Sequence, residues 1–216
     1  MGQKLNKFIF IFFILGSNIA AGQSIDSAFY KKTFTSLSEA SKNPLNVYRL
    51  NLSSLPVDSF PIDLSKFKNL EYLCLNNDHL EFIPRSIGDL QNLRKLELNG
   101  DDFKSLPPEI SKLKNLEEIH LNFDKKMDLS KSIITLSSLP KLSTLHLEGD
   151  GIKSLPANFG NLVSLQNLYL NNNKFSEVPK EIQGMKNLKY LDIRDNEIPE
   201  YKINDYKPFG LKIKFK

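Results

Sequence analysis

The chain has 216 residues, of which 29 are Lys or Arg and 25 are Asp or Glu, giving a formal net charge of +4. This near balance excludes an extended polyanion-binding tail. A hydrophobic fraction of 40% with 25% charged residues excludes a polytopic membrane protein. The single cysteine, Cys74, excludes an intramolecular disulfide and a cysteine-based metal site, so packing alone must stabilise the fold.

A cleavable export signal is predicted at residues 1–22. Two lysines among the first seven residues precede an apolar run from Phe8 to Leu15. This run is too short to span a hydrocarbon core of about 30 Å, which requires about 20 helical residues. Small residues at Ala20 and Gly22 favour cleavage before Gln23, with cleavage before Gly22 as the alternative. We therefore predict a secreted, periplasmic or cell-surface protein that has no membrane span after cleavage and, lacking a cysteine after the apolar run, no lipid anchor.

Residues 23–46 are predicted to form an N-terminal cap. Thr35 or Ser36 suits the start of a helix, and Asn43-Pro44 suits its end. We expect a short helix from Leu37 to Lys42 that covers the open edge of the structure that follows.

A repeat of 23 residues organises residues 47–200, and its clearest copy is LRKLELNGDDFKSLPPEISKLKN from Leu93 to Asn115. Seven units follow one another from Val47, and the leading leucine recurs in step at Leu70, Leu93, Leu116, Leu142, Leu165 and Leu188. The alternation of inward and outward residues around the central leucines predicts one short strand per unit. The proline later in the unit favours a turn or short helix.

This pattern resembles the leucine-rich repeat family in its 23-residue form, LxxLxLxxNxLxxLPxxIxxLxN, from Val47 to about Tyr201. The resemblance implies an α/β solenoid, with a parallel β-sheet on the concave face and turns and short helices on the convex face. The physical argument agrees, because one unit cannot bury its own leucines whereas stacked units bury those of their neighbours. Proteins with this fold bind many unrelated partners, so the resemblance predicts architecture more firmly than function.

The fourth unit, Leu116 to Lys141, is irregular. It carries 26 residues and lacks the Leu-Pro turn. Insertions in repeats usually lie in loops on one face, so we predict a convex-side loop or a longer helix around Ser130 to Ser138. The alternative is that the insertion forms part of a binding rim.

The ninth position of the unit also departs from the family, which keeps asparagine there because an amide both donates and accepts hydrogen bonds. Here the residues are Asp78, Asp101, Asp124 and Asp150, then Asn173 and Asn196, with Leu55 in the first unit. We expect the carboxylates to accept backbone N–H groups and to raise one another's pKa by repulsion. Acid is predicted to lower stability, and a ladder of bound cations is the alternative.

Residues 201–216 are predicted to form a C-terminal cap. Leu211, Ile213 and Phe215 alternate with lysines, which is typical of an edge strand protected by charge. This short segment lacks a cysteine, which argues against the ubiquitin-ligase arrangement of some bacterial leucine-rich-repeat effectors.

The outward-pointing residues of the predicted strands mix amides, charges of both signs and aromatic rings. Such a surface suits a protein partner, and a glycan is the alternative. Nucleic acid is a poorer fit, because binding it requires a basic patch. The predicted partner-binding residues on the concave face are Tyr72, Glu97, Glu118, His120, Asn122, His146, Glu148, Tyr169, Asn171, Tyr190, Asp192 and Arg194. Tyr72, Tyr169, Tyr190 and Phe123 are the expected anchors, with a hot spot at the neighbouring Tyr169 and Tyr190.

We predict no catalytic residues, cofactor or metal. The concave rows contain no serine suitably placed beside a histidine–carboxylate pair, and the sequence has no glycine-rich phosphate loop. His120 and His146 stand on adjacent strands among glutamates, but a flat sheet is expected to spread potential ligands apart rather than converge them on zinc. A metal-dependent enzyme is therefore the weakest alternative. Cys74 is predicted on the concave face as a tolerated small residue rather than a reactive thiol.

Overall fold

The computed structural model describes residues 32–53, 63–77, 79–204 and 210–215, apart from the side chains of residues 203 and 204. The predicted export signal lies outside the described residues, as do Leu55 and Asp78. Among the described residues, no helix combines the length and apolar character that crossing a membrane requires.

The strands of the described residues form a single parallel sheet, in which nine strands lie side by side in chain order. Seven strands come from the seven repeats and one is added at each end. Their bounds are β1 Thr33–Phe34, β2 Arg49–Asn51, β3 Tyr72–Cys74, β4 Lys95–Glu97, β5 Glu118–His120, β6 Thr144–His146, β7 Asn167–Tyr169, β8 Tyr190–Asp192 and β9 Lys212–Lys214.

The register of the sheet follows from the leucine spacing. The central residues of successive strands pair directly, as Leu96 does with Ile119 and Leu145 with Leu168. These four side chains are completely buried. They belong to one hydrophobic core that runs through the repeats, so the predicted α/β solenoid with a concave parallel sheet is confirmed.

Short 3-10 helices return the chain on the convex side, in agreement with the predicted turn or short helix. They span Arg85–Asp89, Pro108–Lys112, Ala157–Asn161 and Lys180–Ile182. A proline precedes each helix, where its fixed φ and missing N–H suit the position. Each helix inserts one large apolar side chain into the core, respectively Ile87, Ile110, Phe159 and Ile182.

The irregular fourth unit replaces its 3-10 helix with an α-helix. Three α-helices occur among the described residues: α1 (Leu37–Ser41), α2 (Leu129–Leu136) and α3 (Glu200–Asn204). The α2 helix begins after Asp128, whose carboxylate accepts the backbone N–H of Lys131 at 3.1 Å. Ile133 and Leu136 reach the core. The helical form of the convex-side prediction is thus confirmed.

Both ends of the sheet carry additional structure. The α1 helix starts after Ser36, whose hydroxyl accepts the N–H of Glu39 at 3.3 Å, as predicted from the sequence. The preceding strand β1 was not predicted, because two residues are too few to show alternation. At the other end β9 confirms the edge strand, with Lys212 and Lys214 exposed and Ile213 packed against the core.

The aspartates at the ninth position accept backbone N–H groups of the preceding unit, as expected. Asp101 N–H donates to Asp124 at 2.8 Å, and Asp124 N–H donates to Asp150 at 2.7 Å. Burial, more than the repulsion predicted from sequence, raises the pKa of Asp124 to about 8 and that of Asp150 to about 7. A raised pKa means that the folded chain holds these protons more tightly than the unfolded chain. The prediction that acid destabilises through these residues is therefore wrong in sign for Asp124 and Asp150.

Asparagine at the same position makes donor hydrogen bonds that the aspartates lack. The Asn173 amide accepts the N–H of Ile152 and donates to the carbonyls of Leu147 and Leu170 at 2.7 and 3.0 Å. The corresponding second oxygens of Asp124 and Asp150 are buried and have no hydrogen-bond partner among the described residues. A protonated carboxyl supplies a donor at that point, whereas an ionised one does not.

Candidate binding face on the concave sheet

Ten of the twelve predicted partner-binding residues are partly exposed on the concave sheet. They are Tyr72, Glu97, Glu118, His120, His146, Glu148, Tyr169, Asn171, Tyr190 and Arg194. The strand register explains the result, because residues on either side of a buried central residue point to the opposite face of the sheet. The two exceptions are Asn122 and Asp192, which are buried.

Asn122 is a structural residue, which corrects its placement on the binding face. Its side chain is 7% exposed and spans two units, because its carbonyl oxygen accepts the Glu148 N–H at 2.8 Å and its amide donates to the Glu148 carboxylate at 3.0 Å. Asn99 does the same one unit earlier by accepting the N–H of Asn122 at 2.9 Å. This position therefore ties strand ends together.

Asp192 is also withdrawn from the surface, with 1% of its area exposed. The Arg194 guanidinium covers it, donating from Nε to Oδ1 at 2.9 Å and from Nη2 to Oδ2 at 2.8 Å. Burial alone would raise the pKa of Asp192, but the hydrogen bonds from Arg194 outweigh burial and lower it. A partner would meet Arg194 rather than the carboxylate beneath it.

Cys74, expected on the concave face, is 2% exposed. Its sulfur lies 2.9 Å from the Ser53 hydroxyl, and burial raises the pKa of the thiol. The prediction of a small unreactive residue agrees with this environment, although its predicted exposure was wrong.

Four rings form a contiguous ladder across strands β5 to β8, and we call His120, His146, Tyr169 and Tyr190 the ring ladder. The His120 and His146 rings stack with centroids 3.8 Å apart, and His146 and Tyr169 stack at 4.1 Å with planes only 4° apart. Tyr190 joins at 5.3 Å in a tilted arrangement. Adjacent parallel strands place equivalent residues about 4.8 Å apart, so rings at one position stack without distorting the backbone.

The predicted anchors thus fall into different groups. Tyr169 and Tyr190 meet as expected, whereas Tyr72 lies near the other end of the sheet, where the Arg49 guanidinium sits 4.3 Å from its ring centre. Phe123 is 55% exposed but lies in the turn after β5, where its ring packs close to Gly149. It belongs to neither group.

Glu118, His120 and His146 form a compact cluster at the β5 end of the ring ladder. Their ligand-type atoms all lie within 4.8 Å of one another. His120 Nε2 is 2.5 Å from Glu118 Oε1, and His146 Nε2 is 3.8 Å from the same oxygen. The expectation that the sheet keeps these groups apart was wrong, because both rings are rotated so that Nε2 faces the same carboxylate.

The negative charge of Glu118 and Glu97 is balanced by Lys95, which is not among the twelve predicted partner-binding residues. Its ammonium lies 2.9 Å from Glu118 and 3.2 Å from Glu97. The hydrogen bond from His120, and then those from Lys95, lower the pKa of Glu118 to about 2. The strand register offered a signal for Lys95, since it pairs directly with Glu118 in the sheet.

The face can therefore offer three kinds of contact. The ring ladder provides a row of ring edges, Glu118 and Glu148 provide anionic acceptors, and Arg194 provides a cationic group. The side chains of His120 and His146 are about 15% exposed, so a ligand meets their edges rather than their full faces.

Two leucine-rich repeat models match most of the repeat region. One, described as a leucine-rich repeat region, matches residues 59–151, and the other, described as leucine rich repeat, matches residues 140–198. No curated protein sequence matches the chain.

Several solved structures share the fold. A leucine-rich repeat protein of Leptospira interrogans is 29% identical with a TM-score of 0.61, over 85% of this chain and 54% of that one. Internalin C2 of Listeria monocytogenes is 22% identical with a TM-score of 0.57, over 79% of this chain and 72% of that one. The plant peptide hormone receptor RGFR1 in complex with RGF2 is 22% identical with a TM-score of 0.51, over 84% of this chain and 34% of that one.

The present chain thus spans about half the length of the Leptospira protein. The repeat models, the nine-stranded parallel sheet of the described residues and these structural neighbours agree with the 23-residue pattern of the sequence. The chain belongs to the leucine-rich repeat family.

Proposed function

We propose that this chain is an exported, non-enzymatic binding module that holds a protein partner against its concave sheet. The observation that carries the proposal is the ring ladder, which sets four aromatic or imidazole rings side by side on an accessible face. Aromatic side chains supply large contact areas at small entropic cost and dominate many protein interfaces.

The surroundings of the ring ladder favour a polar, specific interface. Glu118 and Glu148 border its histidine end, and Arg194 borders its tyrosine end. An interface with apolar contact at the centre and charged groups at the rim is typical of protein partners. The structurally similar receptor RGFR1 forms a complex with RGF2, which supports a peptide or protein ligand for a chain of this fold.

The test compares two tyrosine substitutions in a pull-down. The purified chain serves as bait against an envelope extract of the producing cell and against host extract. Tyr169→Ala removes a ring from the ladder, and Tyr201→Ala is the matched control, since Tyr201 is 66% exposed on α3. We expect a partner that is retained by the wild type and by Tyr201→Ala.

Tyr169→Ala should weaken binding of that partner by about 30-fold or more, the loss typical of a hot spot. His146→Ala should weaken it as well, with the thermal unfolding of both variants unchanged. A partner that binds Tyr169→Ala as tightly as wild type would place recognition elsewhere on the molecule.

Glycan recognition is the second candidate, favoured by the tilted Tyr169 and Tyr190 rings beside the Asp192–Arg194 ion pair. It predicts a glycan-array signal that both Tyr169→Ala and Tyr190→Ala abolish. A signal retained by the double variant would contradict glycan binding at this face.

Export is the second part of the proposal and is tested separately. We expect the protein recovered outside the cytoplasm to begin at Gln23, as measured by intact mass. A mass that retains residues 1–22 would contradict cleavage, without bearing on the binding face.

A further inference from the structure

We infer that Glu118, His120 and His146 form a binding site for a zinc-class divalent metal ion on the concave sheet. The inference goes beyond the proposed function and does not depend on the identity of any partner. Imidazole nitrogens and a carboxylate oxygen are the donor set that zinc takes in sites with three protein ligands and one open position.

The three donors are spaced suitably for one ion. A tetrahedral ion with bonds of about 2.1 Å needs donor atoms about 3.4 Å apart. The two Nε2 atoms lie 2.5 Å (His120) and 3.8 Å (His146) from Glu118 Oε1, on either side of that value. Adjustments of less than an ångström bring these two separations to that value, and the ligand-type atoms of the three residues all lie within 4.8 Å of one another. An ion there would replace the hydrogen bond between His120 Nε2 and Glu118.

A second layer of hydrogen bonds orients the ligands. His146 Nδ1 is 3.1 Å from Glu148 Oε2, and an ionised carboxylate can only accept, so Nδ1 carries the hydrogen. The lone pair of the neutral ring therefore lies on Nε2, which faces Glu118. Glu148 is itself fixed by the amide of Asn122 at 3.0 Å. Such carboxylate–histidine pairs are a common feature of metal sites.

The ring ladder places the two histidine ligands side by side. His146 lies between His120 and Tyr169, with centroid separations of 3.8 and 4.1 Å. Direct pairing of His120 with His146 in the sheet register sets both rings on rigid backbone. The lone pair of an imidazole nitrogen lies in the ring plane, so at least one of these two nearly parallel rings must turn for both nitrogens to bind one ion.

Lys95 is the competitor for the same carboxylate. Its ammonium lies 2.9 Å from Glu118 Oε1, and its side chain is 35% exposed and able to swing toward solvent. A divalent ion must displace this cation from Glu118, leaving Lys95 with Glu97 at 3.2 Å. Removing the lysine charge should therefore strengthen metal binding.

The experiment is isothermal titration of the purified, tag-free chain with zinc chloride. We expect one zinc ion per chain. His120→Phe and His146→Phe keep a stackable ring and remove a ligand, so each should lower affinity by more than about 100-fold, beyond the usual effect of an outer-shell change. His79→Ala is the control and should bind as wild type, because His79 is 72% exposed and faces Asp102 instead.

Two further variants test the surrounding groups. Glu148→Gln should weaken zinc binding by about 10-fold or more, and Lys95→Gln should strengthen it several-fold. Far-UV circular dichroism checks that each variant is folded.

The absence of zinc binding, or equal affinity in wild type, His120→Phe and His146→Phe, would overturn the inference. The phenylalanine variants also separate this site from the proposed function. They retain the rings of the ladder, so loss of zinc binding with retained partner binding is distinguishable from loss of the binding face.

Discussion

At the scale of single residues, one position in each repeat from the second onward adopts a left-handed backbone. Its occupants have φ between 53° and 74°, and they are Asn77, Gly100, Phe123, Gly149, Asn172 and Asp195. Glycine, asparagine and aspartate tolerate this conformation, whereas a bulky side chain is strained by about 1–2 kcal/mol. Phe123 is thus the one bulky residue of the series. Gly149 leaves room for its ring, because a methyl group at Gly149 would clash with it.

Phe123→Asn should stabilise the protein by about 1 kcal/mol, because it relieves the backbone strain and sacrifices a ring that is already 55% exposed. Urea unfolding at neutral pH measures the change. Val163→Asn is a control at an exposed site without a positive φ, where no gain is expected. A loss of stability in Phe123→Asn would show that the ring packing outweighs the strain.

The ninth-position aspartates allow a second prediction. Asp124→Asn should raise the free energy of unfolding at pH 8 by about 1–2 kcal/mol, because the amide donates where an ionised carboxylate cannot. The gain should shrink near pH 4.5, where the aspartate keeps its proton. Asp89→Asn, at an exposed position, should show neither effect. A gain that is the same at both pH values would exclude protonation as its cause.

At the scale of elements, the α2 helix is joined to the unit before it through one buried hydroxyl. Ser132 is completely buried; its Oγ accepts the backbone N–H of Leu106 at 3.2 Å and donates to the carbonyl of Asp128 at 3.1 Å. In a similar contact earlier in the chain, Ser86 accepts the N–H of Leu64 at 3.1 Å. A serine at this position of the convex segment thus accepts a hydrogen bond from a backbone N–H of the preceding unit.

Ser132→Ala should lower the free energy of unfolding by about 1–3 kcal/mol, because the N–H of Leu106 is left buried without an acceptor. Chemical denaturation measures the loss. Ser130→Ala changes an exposed serine of the same helix and should be nearly neutral. An equal effect in the two variants would show that helix propensity, rather than the buried hydrogen bond, determines the result.

Most of the elements could be predicted from the sequence, because leucine spacing dictates which residues are buried and which strands are neighbours. The same spacing placed His120 beside His146. Convergence of their nitrogens on Glu118 depends instead on how each ring is rotated. That rotation is set by contacts with side chains of other units, so it cannot be predicted from the leucine spacing. Likewise, alternation assigned Asp192 to the surface, but the long side chain of Arg194 covers it.

At the scale of the whole molecule, two sets of carboxyl groups give opposite dependences of stability on pH. Asp124 and Asp150 have pKa values of about 8 and 7, above the ordinary value of 3.8. Their contribution is fully present below that ordinary value and is lost as pH rises to 7 and 8. Glu118, with its pKa of about 2 against an ordinary 4.5, contributes above 4.5 and loses that contribution as pH falls toward 2.

We therefore expect stability to be greatest near about pH 4.5 and to fall on both sides. The melting temperature at pH 5 should exceed that at pH 8 by about 3 °C or more. Differential scanning calorimetry between pH 3 and pH 8 measures the profile. In the Asp124→Asn, Asp150→Asn double variant the decline toward pH 8 should flatten, and a profile that still falls steeply would assign it to other groups.

The final strand β9 has a consequence for assembly. A parallel sheet built from like units could in principle recruit further chains at its last edge. Here Lys212 and Lys214 of β9 are exposed, so two copies that met through their β9 strands would bring like charges together. Repulsion of this kind disfavours the pairing of two molecules through β9.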